Sequence, residues 1–323
     1  MIIIKYKGGL GNQMFQYALH QILEQIYDPN QIKADLSHYI LQNEHNGFEL
    51  TEVFHFNKPL AALTEVKKIA NVYLPGRLYP LLPPKLQRRI SSNIQYKLVE
   101  VRKKLCKSRY KHHYRQRFHN TYEEEIFHLD MSCDWYLDGL WQNLSYWKHI
   151  WGEEKDAIAR MRGIFSFREE RYLANREWKA LAEGLSKPDT VAIHVRRGDF
   201  ANSKFDICPR EYYEQAIRKI QEKIPQPSFF FFTDDIGYVQ TAFFLQNMTI
   251  IANGPAKAEV DMWLMSKAGN LIISNSTFSY WGALLNQNKE KLVIAPKYSI
   301  KSQKGEFLLS APADWWLIDN LHG

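Results

Sequence analysis

The chain of 323 residues predicts an α/β protein whose second half is a doubly wound, Rossmann-like parallel sheet. Two observations carry that prediction. From residue 190 onward, short apolar runs alternate strictly with helical patterns, and after a longer first interval the runs start about 21 residues apart. The first run, Ala-Ile-His-Val-Arg-Arg-Gly-Asp-Phe over 192–200, breaks abruptly into His194, Arg196, Arg197 and Asp199. Charge at the C-terminal end of a buried strand is expected where an open α/β sheet binds its ligand.

In chain order, the first strand is expected at 2–6. A glycine turn, Gly8-Gly9-Leu10-Gly11, leads to Asn12 and Gln13 and a helix with the face Phe15, Ala18, Leu19, Ile22 and Ile26. Another strand is expected at 135–140, then aromatic-rich helices from Tyr146 to about Leu185. The polar turn Ser186-Lys187-Pro188-Asp189 reads as the domain boundary, dividing the chain into 1–186 and 187–323. In the second domain, strands are expected at 191–195, 228–233, 249–252, 271–274 and 292–295. Helices are expected between them at 210–223, 237–246, 258–268 and 278–286. There is no internal repeat and no low-complexity segment.

Cys106, Cys133 and Cys208 are odd in number, widely spaced and without a C-x-x-C pair, which argues against a disulfide framework or a zinc site. The apolar N-terminal run is too short for a signal peptide, and no stretch reaches the roughly 18 apolar residues of a membrane span. The expectation is a soluble, cytoplasmic protein. The net charge of +7 is unevenly placed: Arg77 to Arg117 holds 13 Lys and Arg against Glu100, leaving the remainder acidic. Within that stretch Leu86, Ile90, Ile94, Leu98, Val101 and Leu105 follow helical spacing, so a basic amphipathic helix is expected as an insertion near 77–117. It reads either as a helix packed on its own domain or as an anionic-surface contact. With no nucleic-acid motif present, the second reading favours a membrane or an anionic lipid-linked acceptor.

Four loops carry polar groups where strands end: 196–199, Thr233-Asp234-Asp235, Asn253-Gly254 and Asn275-Ser276-Thr277-Phe278-Ser279. A parallel sheet brings such ends to one edge. Asn275, Ser276, Thr277 and Ser279 precede a helix, where hydroxyls, backbone N–H groups and the helix dipole suit an anion, although an ordinary N-cap uses the same residues. Ile193 and Val195 share one face of their strand and His194 and Arg196 the other, so Arg196 is expected to fork onto a phosphate while Arg197 pairs with Asp199 or Asp235. His194 reads equally as a ligand contact or a core histidine. Asp234 and Asp235 suit a ribose, a base or Mg²⁺/Mn²⁺, with the metal the lesser reading because Arg196 already neutralises a diphosphate. The glycine loop lacks dinucleotide-fingerprint spacing; Gly9 and Gly11 imply close backbone approach, and Asn12 and Gln13 either donate to a ligand or cap the helix.

These segments resemble the bacterial alpha-1,2-fucosyltransferases, glycosyltransferase family 11. The resemblance rests on Gly8-Gly9-Leu10-Gly11-Asn12-Gln13-Met14-Phe15-Gln16-Tyr17-Ala18, on His194-Val195-Arg196-Arg197-Gly198-Asp199 and on Asn275-Ser276-Thr277-Phe278-Ser279-Tyr280-Trp281-Gly282-Ala283. Weaker blocks are Gly139-Leu140-Trp141-Gln142 and Phe232-Thr233-Asp234-Asp235. The resemblance implies a GT-B fold of two Rossmann-like domains facing a cleft, with GDP-fucose in the C-terminal domain and the acceptor mainly against the N-terminal one. It also implies an inverting, metal-independent transfer, with no cofactor, to the 2-hydroxyl of a sugar such as galactose in a bacterial surface glycan, for example O-antigen. Arg196, Asp199 and Asn12 would be the catalytic residues. Donor contacts would come from His194, Arg196, Arg197, Asp234, Asp235, Asn275, Ser276, Thr277 and Ser279, with Gly9, Gly11, Asn12 and Gln13 on the donor/acceptor loop. Asp199 is either a base or the partner of Arg197. Two other readings stand beside this one: a nucleotide-dependent oxidoreductase using the glycine loop with Asp35, and a glycan-binding protein suggested by 9 Trp and 18 Tyr.

Overall fold

The computed structural model describes residues 1–41, 46–70, 112–251, 253–254, 257–302 and 305–322. The expected basic helix therefore falls outside the described residues; at its C-terminal end, His113–Arg115 forms a strand. The chain makes two compact units. The first holds residues 1–9, 13–48 and 56–141, the second 10–12, 49–55 and 142–323.

The first unit is built on a four-stranded parallel sheet of β1 (Ile2–Lys5), β2 (Ile32–Asp35), β3 (His113–Arg115) and β4 (Trp135–Asp138), in the order β2-β1-β4-β3. Ile2, Ile3 and Ile4 are all fully buried, which explains an unbroken apolar run: β1 is central and covered on both faces. The following helix, Leu10–Leu23, buries Phe15, Ala18, Leu19 and Ile22. Ile26, expected on the same face, is 39% exposed, because after Leu23 the backbone tightens into Ile26 N–H to Leu23 carbonyl bonding and leaves the helix.

The second unit carries a six-stranded parallel sheet of β5 (Thr190–Val195), β6 (Ser228–Thr233), β7 (Met248–Ile251), β8 (Asn270–Ile272), β9 (Val293–Pro296) and β12 (Trp316–Ile318). An antiparallel pair, β10 (Tyr298–Ser302) and β11 (Gly305–Leu308), precedes β12. One face of the sheet packs Val191, Ile193, Val195, Phe229, Phe231 and Ile272 against the helices Arg210–Gln221 and Ile236–Ala242. Helix Ala258–Met265 packs against both Arg176–Leu185 and Thr277–Leu285, and Arg176–Leu185 also packs against β5. The five expected strands and four expected helices of this half are present with ends moved by a few residues. The short, half-exposed β12 was not foreseen.

The long segment of the second unit begins at Gln142, whereas the polar turn near 186 was the expected boundary. The helices Ser145–Trp151 and Glu154–Ile164 account for the difference. Trp147 and Phe165 lie 5.5 and 4.7 Å from Trp281, and Arg162 Nε donates to the Leu284 carbonyl at 2.6 Å. These aromatic helices bury their apolar faces on the Thr277–Leu285 helix.

Strand order decides where a ligand fits. The six-stranded sheet runs β12-β9-β8-β5-β6-β7. From β5 the chain moves outward through β6 and β7, then returns to β8 and moves outward on the other side. Neighbours β5 and β8 are thus left by connections running in opposite directions, which opens a crevice at their C-terminal ends. Among the described residues, no helix is long and apolar enough to cross a membrane. Cys133 and Cys208 are free thiols, and Cys106 lies outside the described residues.

Candidate active site

The β5 strand brings His194 to the floor of this crevice. Its Nδ1 lies 2.9 Å from Ser274 Oγ, just beyond β8, and its backbone carbonyl accepts from the Tyr213 hydroxyl at 3.2 Å. Burial holds the imidazole neutral, pulling its pKa from 6.5 down to about 3, and neighbouring Arg196 adds to the shift. Ser274 Oγ also accepts from Ser276 N–H at 3.3 Å, so strand end and helix start are tied through one hydroxyl.

Arg196 follows where β5 ends and is about one-third exposed. Its Nη2 pairs with Asp199 Oδ1 at 2.6 Å and its Nη1 with Asp234 Oδ2 at 2.5 Å. Asp234 also accepts the backbone N–H of Arg197 at 2.8 Å, which binds the loops after β5 and β6 together. A Cβ at Gly198 would stand 2.5 Å from Asp234 Oδ2 and push that carboxylate from its place. Arg197 points elsewhere: its Nη1 lies 3.2 Å from Asp206 and its guanidinium sits 4.4 Å from the Tyr238 ring centre. The expected pairing of Arg197 with Asp199 or Asp235 is therefore corrected. Asp199 lies three residues after Arg196 in a tight turn, within reach of that guanidinium, while Arg197 projects to the other side.

The third component is the start of the Thr277–Leu285 helix. Ser276 is its N-cap, accepting from Phe278 N–H, and the first-turn N–H groups have no intrahelical acceptor. Gly11 lies directly on this turn: a Cβ there would meet Thr277 and Phe278 backbone atoms at 2.7 and 2.8 Å. The Trp281 indole donates to the Gly11 carbonyl at 3.0 Å and fixes the approach. Asn12 follows, and its Oδ1 accepts from Thr277 Oγ1 at 3.2 Å and from Gln142 Nε2 at 2.8 Å.

Arg196 and the first turn of the helix thus stand past the C-terminal ends of the neighbouring strands β5 and β8, with Asn12 bonded to that turn. A guanidinium, a helix N-terminus and an amide form a donor set for an anion such as a diphosphate. Residues 1–307 match Glycosyl transferase family 11. The chain belongs to that family. Two curated Escherichia coli proteins are similar over nearly its whole length. An alpha-1,2-colitosyltransferase is 26% identical, with 99% of each chain covered. The O-antigen biosynthesis glycosyltransferase WbnK is 27% identical, with 90% of this chain and 92% of that protein covered. Among solved structures, a mutant of Arabidopsis thaliana FUT1 in complex with GDP is similar at a TM-score of 0.49 and 13% identity, covering 96% of this chain and 74% of that one.

In this family 11 glycosyltransferase several residues expected at the ligand are instead committed to the scaffold. Gln13 is fully buried and donates to the Gly8 and Gly47 carbonyls. Asn275 donates to the Phe205 and Ser299 carbonyls and accepts from Cys208. Ser279 is fully buried and donates to the Ser276 carbonyl. Asp235 caps the Ile236–Ala242 helix through Tyr238 N–H. Gly9 is the N-cap position of the Leu10–Leu23 helix, whereas the left-handed turn belongs to Gly8 at φ +78°. Asp35 is spent on the Tyr136 hydroxyl and Ser37 N–H, which withdraws the acid required by the oxidoreductase reading. Arg196, Arg197, Asp234, Thr277 and Asn12 keep solvent-accessible surface in the second unit.

Two residues were missed as site candidates. Gln142 was noted only within a weak block, and its link to Asn12 spans 130 positions. Asp261 stands on the mostly buried helix Ala258–Met265, where burial lifts its carboxyl to about 7 while Asn253 Nδ2 donates to it at 2.6 Å. Asp261, next to the buried Val260 and Met262, shares an otherwise apolar helix with Glu259, and that was the available signal.

Proposed function

We propose that this glycosyltransferase is an inverting alpha-1,2-fucosyltransferase, moving L-fucose from GDP-fucose to the 2-hydroxyl of a galactose in a bacterial surface glycan. The observation that carries the reading is the convergence of Arg196, the 277–285 helix start and Asn12 at the β5–β8 switch point. As the fucosyl C–O bond breaks, its electron pair leaves with the β-phosphate, and donors preorganised around that oxygen stabilise the charge. The sugar becomes oxocarbenium-like, and the acceptor hydroxyl attacks its opposite face, losing its proton as the new bond forms. Asp199 and Asp234 hold the Arg196 guanidinium between them and set its aim.

The reading is metal-independent. Asp234 is occupied by Arg196 and the Arg197 N–H, and Asp235 by a helix N-terminus, so cationic and N–H groups already do what a divalent ion would do for the diphosphate. Full activity in EDTA is the expected outcome; loss restored by Mn²⁺ would reverse it. The relatives' names support transfer in α-1,2 linkage and a place in O-antigen biosynthesis, and the relative named for colitosyl transfer makes colitose the second donor to test. The acceptor side is assigned to the first unit of the GT-B fold. The protein is read as cytoplasmic and, through 77–117, peripheral on an anionic membrane; flotation with anionic vesicles that vanishes when those basic residues are neutralised is expected.

The deciding experiment is a screen of GDP-sugars against acceptor glycans, with product linkage and anomeric configuration determined by NMR. A fucosyl α-1,2 product is expected. Transfer only from another sugar nucleotide, or to another hydroxyl, overturns the donor or linkage assignment.

A further inference from the structure

Gln142 belongs to none of the loops that end the strands of the six-stranded sheet, yet its side chain bonds Asn12. A carbonyl oxygen has two lone-pair directions. At Asn12 both are filled, by Gln142 Nε2 at 2.8 Å and Thr277 Oγ1 at 3.2 Å. What remains is the NH2 group, two donors that no described residue takes.

The chain that follows Gln142 is held in place. Asn143 accepts from Ser145 N–H at 2.8 Å, and Leu144 N–H donates to Ser310 Oγ at 3.0 Å. Trp147, one turn further on, lies 5.5 Å from Trp281, whose indole holds the Gly11 carbonyl next to Asn12. The segment that follows Gln142 and the residue before Asn12 thus meet at the same tryptophan.

We propose that Gln142 is a positioning residue that fixes the polarity of the Asn12 amide, making Asn12 a hydrogen-bond donor to the leaving diphosphate and excluding it as the proton acceptor for the attacking hydroxyl. The inference rests on the nucleotide-sugar reading above. An amide oxygen turned toward the diphosphate would oppose the growing negative charge, whereas an N–H turned toward it stabilises that charge most at the transition state. Gln142 therefore acts on turnover more than on binding.

The test exploits two substitutions whose order reverses between a polarity role and a packing role. Q142E keeps the shape but replaces the donor with an acceptor, which draws the Asn12 NH2 toward itself and turns the oxygen outward. Q142A leaves the amide free to rotate. We expect kcat to fall about 10²-fold in Q142E and about 10-fold in Q142A, with donor KM moving less than about threefold. In an N12A background neither change should lower kcat further, because Gln142 would have nothing left to orient. A packing role predicts the opposite, with Q142E mild, Q142A worse and losses that add to N12A; any of these overturns the proposal, as does an N12A enzyme of wild-type activity. If Q142E does not fold, the N12A and Q142A cycle decides alone. The ratios are measured with whichever sugar nucleotide the wild type turns over, so failure of the GDP-fucose assignment is seen in the wild type and failure of this inference in the variants.

Discussion

Both units carry charge at the C-terminal edge of their parallel sheet, beside β1 and β4 in the first and beside β5 and β8 in the second. In the first unit the charge is turned inward. Lys7 and Lys5 reach the buried Asp138 carboxylate at 2.6 and 3.3 Å, with His113 and Arg115 at 3.7 and 3.8 Å. The Gln16 amide donates to the Gly139 and Lys7 carbonyls beside them. Although Asp138 is buried, the surrounding cations hold its carboxyl well below the usual range. In the second unit the acids that hold Arg196 stand at the rim, Asp199 with 55% of its side chain exposed, and the helix start beside them keeps accessible donors. Two parallel sheets thus yield a self-neutralised edge in one unit and, on the function proposed above, an edge open to an outside anion in the other. What separates them is whether the counter-charge is buried with the cations or left where a ligand can replace it.

The largest effect that tests this contrast is structural. Removing a buried partner leaves uncompensated charge, so Asp138→Ala is expected to lower unfolding free energy by about 3 kcal/mol, moderated because both lysines keep some solvent access. Chemical denaturation measures it, and GDP affinity should not follow; a loss below about 1 kcal/mol would mean that the first edge is an ordinary solvated surface. The next effect belongs to the second edge. Arg196→Ala should cut turnover by on the order of 10²-fold, about 2.7 kcal/mol of barrier, while the circular dichroism spectrum stays native. Near-normal turnover with labelled donor would remove Arg196 from the leaving-group role.

A third test places one buried histidine of each unit side by side. His20 and His194 both have folded pKa values lowered from 6.5 to about 3, by burial first. The unfolded chain therefore binds protons between these limits and the folded chain does not, so stability present above pH 6.5 is lost as pH falls toward 3. At pH 5 the loss is about 2 kcal/mol per histidine. Replacing His20 or His194 with Asn should flatten the pH 7-to-5 change in denaturation midpoint; an unchanged slope would show that the imidazole is protonated in the fold. The smallest effect is that of Asp235→Ala, about 1 kcal/mol of stability for a lost N-cap. A drop in GDP affinity exceeding that figure would return Asp235 to the ligand.

Some of this was legible without coordinates. Alternation of apolar runs and helical stretches marked β5 to β9, and the period-two argument placed Ile193 and Val195 in one core and His194 on the opposite side. The three motif blocks pointed to the family, and the convergence of strand ends pointed to the edge where Arg196, Asp234 and Thr277 lie. Whether a polar side chain at that edge is free or consumed was not legible. Gln13, Asn275 and Ser279 have the same chemistry as Asn12 and Thr277, and only their neighbours reveal that their hydrogen bonds are already spent.

The division follows from the range of the forces involved. Secondary structure and strand faces answer to local periodicity, which the chain carries in every short window, and so the α/β class and the arginine-bearing strand end were determined by sequence alone. The tertiary structure decided the rest: Arg196 rather than Arg197 with Asp199, the 145–165 segment packed on Trp281, and Asn12 held by Thr277 and Gln142 across 265 and 130 positions. Hydrogen-bond and ion-pair partners compete over distances that no local pattern encodes, and geometry alone settles which of several chemically equivalent residues meet.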